Sequence, residues 1–275
     1  MNELRPGRFE ILPLVIKNLL IINGLVFLAQ ETLHPMLGNR LENLFALHYW
    51  GSDLFRPHQI ITHLFMHGSF GHLFSNMFTL WMFGATLENV WGPKRFLIFY
   101  TICGIGAAMC HMGVLTYDNV RLTHDVQAFL QDPSYSNFAL LDRKYDLGSG
   151  TFNPESMKIA LAQAPGNPEI IQTARVFVQQ FASDFRNTAT LGASGAVFGI
   201  LFAFGYLFPN SLIYLYFLFP IKAKYFVGVW IVLELVSGIQ NSAGDNVAHF
   251  AHLGGVIFGY ILLKIWSRNN RRNFY

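Results

Sequence analysis

Gly192-Ala193-Ser194-Gly195-Ala196-Val197-Phe198-Gly199 opens an apolar run that continues to Phe208. A membrane-length segment gains nothing from a hydroxyl at its mouth. Glycines on both sides strip side chains from around it, so another backbone or a bound molecule can come close. Gly195 and Gly199 also prepare one helix face for tight contact with a neighbour, and Gly255 and Gly259 form a second such face in Ala251-His252-Leu253-Gly254-Gly255-Val256-Ile257-Phe258-Gly259. The two faces are expected to meet, which brings Ser194 to His252.

The chain has 275 residues, 52% hydrophobic and 13% charged, with a mean hydropathy of +0.34. Soluble domains carry about 25% charged residues, so the composition is that of a membrane protein. A net charge of +3 is too small and too scattered for a nucleic-acid-binding surface. Cys103 and Cys110 fall on one helix about 10 Å apart, too far to bridge, and are expected to pack as small buried groups. Met1 to Arg8 is polar and basic, but the apolar run after it lacks a small-residue cleavage site and is expected to be retained as a span.

Six stretches approach spanning length: 12–30, 70–88, 96–117, 191–208, 225–239 and 247–266. Arg5, Arg8, Lys94, Arg95, Lys222, Lys224, Lys264, Arg268, Arg271 and Arg272 gather at span ends on one side. The positive-inside rule then puts both termini in the cytoplasm. The expected fold is an all-α polytopic bundle of six transmembrane helices. Residues 1–117 and 191–275 would form one membrane domain, and 118–190 a polar extracytoplasmic insertion. Within the insertion, Asn153-Pro154-Glu155 and Asn167-Pro168-Glu169 each read as a helix start, the second followed by an apolar stripe of Ile170, Ala174, Phe177, Phe181 and Phe185. Residues 31–69 are half apolar and are expected to lie partly submerged.

Spans two, four and six all run inward from the outer face, and each carries polar groups in its first two turns. These are His72 and Asn76, then Ser194, then His249 and His252. Polar groups at one depth in a bilayer suggest one site. Serine beside histidine is a nucleophile with its base. His72 and Asn76, one turn apart, can donate to an oxyanion, and the Ser194 backbone N–H near a helix N-terminus can add to them. A metal reading of His63, His67, His72 and His249 lacks the glutamate base of a zinc hydrolase motif. Glu88 lies about 18 Å deeper than Asn76, and Glu234 sits within span five. Both are expected to be structural hydrogen-bonding groups or part of a proton path, leaving a Ser–His dyad.

His72-x-x-x-Asn76, Gly192-Ala193-Ser194-Gly195 and Ala251-His252-x-x-Gly255-x-x-x-Gly259, in this order across six spans, resemble the rhomboid intramembrane serine proteases of bacterial type. The resemblance covers all but the insertion. It implies Ser194 as nucleophile, His252 as general base, and His72, Asn76 and the Ser194 N–H as oxyanion hole. It gives Gly192, Gly195, Phe198, His67, His249 and Gly255 supporting places. It implies transmembrane protein substrates, a bacterial inner membrane, and no metal or organic cofactor. The sequence leaves the oligomeric state open. The chain departs from the family at His58-Gln59, where many members carry Trp-Arg, and at Phe198, where a tyrosine often stacks on the catalytic histidine. Two other readings remain: a catalytically silent binder of transmembrane clients, and a proton-coupled transporter using the histidines and Glu234.

Overall fold

The computed structural model describes residues 9–148, 152–215, 218–240 and 248–272. Arg5, Arg8 and Val247 lie outside them, as do the side chains of Arg271 and Arg272. The helices are α1 (Leu14–Leu37), α2 (Arg40–Phe45), α3 (Gln59–Thr62), α4 (Phe70–Trp91), α5 (Pro93–Gln131), α6 (Tyr135–Tyr145), α7 (Pro154–Gln163), α8 (Pro168–Arg186), α9 (Ser194–Leu207), α10 (Ala223–Gln240) and α11 (His249–Arg272). The described residues depart from an all-helical architecture only locally. A 3-10 turn covers His63–Phe65, and an antiparallel hairpin, β1 (Leu212–Leu215) with β2 (Phe219–Lys222), joins α9 to α10.

Among the described residues four helices are long and apolar enough to cross a membrane: α1, α5, α10 and the His249–Arg268 stretch of α11. α4 has 22 residues but carries His72, Ser75, Asn76 and Glu88. α9 is apolar and has only 14 residues, about 21 Å against a hydrocarbon core of about 30 Å. This short helix is the centre of the bundle, touching α4, α5, α10 and α11.

The glycine faces expected from sequence do meet. A Cβ on Gly255 would collide with the carbonyl of Gly195, and one on Gly199 would stand 2.6 Å from Cys103 Sγ and 3.0 Å from the Gly255 carbonyl oxygen. Backbones of α9 and α11 therefore touch, with α5 filling the third side through Cys103 and Ala107. Both cysteines are free thiols; Cys103 is buried and Cys110 partly so. At the basic end, Trp91 meets Trp266 edge-on at 5.6 Å and the Arg95 guanidinium lies 4.2 Å over the Trp266 ring.

That end also explains Glu88. The N-cap of α1 is Pro13, which offers no capping side chain. Its exposed N–H groups find an acceptor on another helix instead: Val15 N–H and Ile16 N–H donate to Glu88 Oε1 and Oε2 at 2.8 and 2.9 Å. A buried carboxylate at a helix N-terminus is favoured both by hydrogen bonding and by the helix dipole.

α5 has 39 residues and does not stop at 117; at about 58 Å it outruns any bilayer, and its last turns become part of the insertion. There Leu122, Val126 and Phe129 join Phe138, Leu141, Leu161, Ala174 and Val178 in a separate small core. The stripe from Ile170 to Phe185 packs into this core. Asn153 and Asn167 cap α7 and α8 as expected, each accepting from the N–H groups two and three residues beyond it. α6, capped by Ser134, is an additional helix. At the surface of this core Lys144 and Tyr145 both donate to Asp125 Oδ2, at 2.7 and 2.9 Å. Burial pushes the Asp125 carboxyl up, but these bonds outweigh it and hold the group below the usual carboxylate range.

Candidate active site

The segment before Ser194 is pinned on three sides. Leu47 and Thr190 exchange backbone hydrogen bonds at 2.8 Å, His111 Nε2 lies 2.8 Å from Thr190 Oγ1, and Gly192 N–H donates to the His63 carbonyl at 3.0 Å. Gly192 has φ +123°, a conformation open to glycine at little steric cost. Its missing Cβ also matters, since one there would stand 2.7 Å from His72 Cε1 and 2.8 Å from His72 Nε2. The Cε1–Nε2 edge of the His72 ring thus lies against Gly192, two residues before Ser194. Gln59 holds the preceding loop in the place of the family's arginine. It is fully buried, its Oε1 accepts from Arg56 N–H at 3.0 Å, and its Nε2 donates to the Asn43 and Leu54 carbonyls at 3.0 Å.

Ser194 is the first residue of α9, so its backbone N–H is one of the helix's four without an intrahelical acceptor. Its Oγ lies 2.9 Å from His252 Nε2. The Phe198 ring, one turn along α9, stacks on the His252 imidazole at 4.2 Å and 8°. The aromatic face expected there is present, without a hydroxyl.

On α4, Asn76 is buried and its Nδ2 has no partner among the described residues. Leaving a buried amide donor unpaired costs about 1–3 kcal/mol. His67 packs edge-on to His72 at 5.1 Å, and both its ring nitrogens lack partners among the described residues. Burial pushes the His63 and His67 imidazoles down to about 4, His72 adding a like charge against His67. Both loop histidines are therefore neutral at pH 7.

The expectation that no carboxylate reaches His252 is corrected by the structure. Glu234 Oε2 lies 2.8 Å from His252 Nδ1 and 2.7 Å from His249 Nδ1. The signal was present in the sequence. Glu234 lies five residues inside the outer end of span five and His252 five inside that of span six, each about 8 Å deep at 1.5 Å per residue. Counting depth from each helix's own outer end, rather than looking for neighbours in sequence, pairs them. Glu234, His249 and His252 also form a trio whose donor atoms lie within 4.8 Å of one another. Tetrahedral zinc sets its ligands about 3.3 Å apart, whereas these stand at ordinary hydrogen-bond lengths.

A sequence profile of the rhomboid domain matches residues 54–125 and 170–269. The chain belongs to the rhomboid family. The unmatched stretch between the two blocks lies in the insertion. Among curated rhomboid relatives, an uncharacterised mitochondrial rhomboid protein of Schizosaccharomyces pombe is 26% identical over 96% of this chain and 69% of its own length. A mitochondrial rhomboid-like protein of Arabidopsis thaliana is 24% identical over 94% of this chain and 60% of its own. The mitochondrial rhomboid protein 1 of Saccharomyces cerevisiae is 26% identical over 78% of this chain and 44% of its own. This rhomboid thus spans well under the full length of its relatives. All three carry a mitochondrial designation, against the bacterial-type membership expected from the motifs. The family and the apolar helices make the chain a multi-pass membrane protein.

Proposed function

We propose that this rhomboid protein is an intramembrane serine endopeptidase that cleaves transmembrane segments of other membrane proteins. The observation that carries the reading is the 2.9 Å contact between Ser194 Oγ and His252 Nε2, made between two helices whose backbones touch. His252 takes the hydroxyl proton as Ser194 attacks the scissile carbonyl, and the carbonyl electron pair moves onto oxygen. The Asn76 amide, the His72 ring and the Ser194 N–H receive that charge. Collapse expels the amine with the proton from His252, and water then releases the acyl group by the same steps. α9 is shorter than a bilayer is thick, which supports a nucleophile recessed below the outer surface, where water must be admitted.

α1, α4, α5, α9, α10 and α11 are the six spans in this reading, and both termini lie on the side that carries the basic residues. The names of the relatives favour a mitochondrial membrane over a bacterial one. Cleavage of a model transmembrane substrate in liposomes is the test. Ser194→Ala should abolish cleavage with thermal stability unchanged, and a fluorophosphonate probe should label the wild type and not the variant. Full activity in Ser194→Ala sinks the protease; absence of labelling in a folded wild type favours the silent client-binder.

A further inference from the structure

Much of α10 faces outward, with Val229, Val232, Leu233, Leu235, Val236 and Ile239 all exposed, while Val227, Glu234 and Gly238 are buried. Glu234 is 7% exposed and turned the other way, towards α11. A carboxylate buried in a bundle costs several kcal/mol unless it is paired and hydrogen-bonded. Here one oxygen receives both neighbouring imidazoles, at 2.7 and 2.8 Å. The groups around the His252 ring are Glu234 from α10, His249 from its own helix, Ser194 and Phe198 from α9, His72 from α4 and His111 from α5. Among the described residues Glu234 is the only acid of this set.

An ionised carboxylate can only accept, so Nδ1 of His252 must donate to it. In a neutral imidazole that leaves the lone pair on Nε2, the nitrogen facing the Ser194 hydroxyl. The alternative tautomer would present an N–H to that hydroxyl and could not take its proton. We propose that Glu234 is a positioning residue that fixes His252 in the one tautomer able to act as base. It also stabilises the imidazolium formed when the proton moves from Ser194 Oγ to Nε2. The Nδ1 proton stays on histidine and Glu234 stays ionised throughout. This inference rests on the protease reading, which it turns from a dyad into a serine–histidine–glutamate relay of hydrogen bonds. The competing possibility is a purely structural tie holding α10 against α11.

The two differ in what replaces the carboxylate. Glu234→Gln keeps length and hydrogen bonding but not charge, whereas Glu234→Asp keeps charge and shortens the reach. Full-length variants in liposomes are assayed for kcat and KM separately, with thermal melting as a fold control. The expected result is a fall in kcat of about a hundredfold or more in Glu234→Gln with little change in KM, and a higher kcat in Glu234→Asp than in Glu234→Gln. A structural tie predicts the reverse ranking, with Glu234→Gln close to wild type, and that result overturns the proposal. Nitrogen NMR of the histidine-labelled wild type gives an independent answer even if the variants unfold. A bare Nε2 and protonated Nδ1 on His252 are expected; the opposite tautomer overturns the assignment. Ser194→Ala and His252→Ala run alongside: if they cleave, the protease reading itself fails, whereas if they are silent and Glu234→Gln is active, only the role of Glu234 fails.

Discussion

Glu88 and Glu234 are both carboxylates buried in the bundle, 3% and 7% exposed, yet their surroundings have nothing else in common. Glu88 accepts from two backbone N–H groups at the start of α1. Backbone amides do not titrate, change tautomer or move without unwinding a helix. Glu234 accepts from two imidazoles, groups that can do all of these. The same contrast separates the two ends of the molecule. At the Glu88 end Asn89 pairs with both the N–H and the carbonyl of Glu10, although among the described residues the buried Tyr100 hydroxyl is left without a partner. At the Ser194 end the Asn76 amide and both His67 ring nitrogens go unmatched among the described residues. A buried polar group with its bonds filled by backbone is architecture, whereas one left open or shared among side chains is available for chemistry.

The sharpest way to break this division is to remove one polar group from each end and compare turnover with stability. Asn76→Ala deletes a donor that has no partner among the described residues. Its kcat should fall about 10²- to 10³-fold if it serves the oxyanion, while the melting temperature holds steady or rises. A loss of stability without loss of rate would put Asn76 with the architecture. Glu88→Ala should do the opposite. It strands two N–H groups at a buried helix start, costing about 2–3 kcal/mol, and the melting temperature drops. Turnover per folded molecule should stay within about twofold. A large fall in kcat with normal melting would erase the distinction between the two ends.

The same division governs what could be read from sequence. Gly195, Gly199, Gly255 and Gly259 were legible because small residues at helical spacing mean close backbones, and the motif order carried the family. Phe198 was legible as a ring over His252. Local caps were legible too, since Asn153 and Asn167 act within three residues of themselves. Glu88 and Glu234 were not placed, because each finds its partners 72 to 73 or 15 to 18 residues away across a helix–helix contact that no local pattern records. The continuation of α5 through 117 was hidden for another reason. Its apolar face changes partner from the membrane bundle to the insertion core, so polarity rises while the helix continues unbroken. The hairpin before α10 left no alternation to read, its second strand being a mostly exposed Phe-Pro-Ile-Lys.

The contrast can be sharpened at the smallest scale through Phe198, which makes no hydrogen bond to the site and acts only by lying parallel to the His252 ring. Offset or parallel contact between rings contributes about 0.5–1.5 kcal/mol beyond the area it covers. Here that energy restricts rotation of an imidazole already held at Nδ1. Phe198→Leu fills much of the same volume without a flat face, so folding should be little affected while kcat falls about two- to tenfold. Phe198→Tyr should stay near wild type, because the face is retained and the added hydroxyl has no step to perform in the reaction as drawn. If instead the leucine variant turns over normally, the Glu234 and Ser194 contacts alone suffice to hold the ring, and the stack belongs with the packing of α9 against α11.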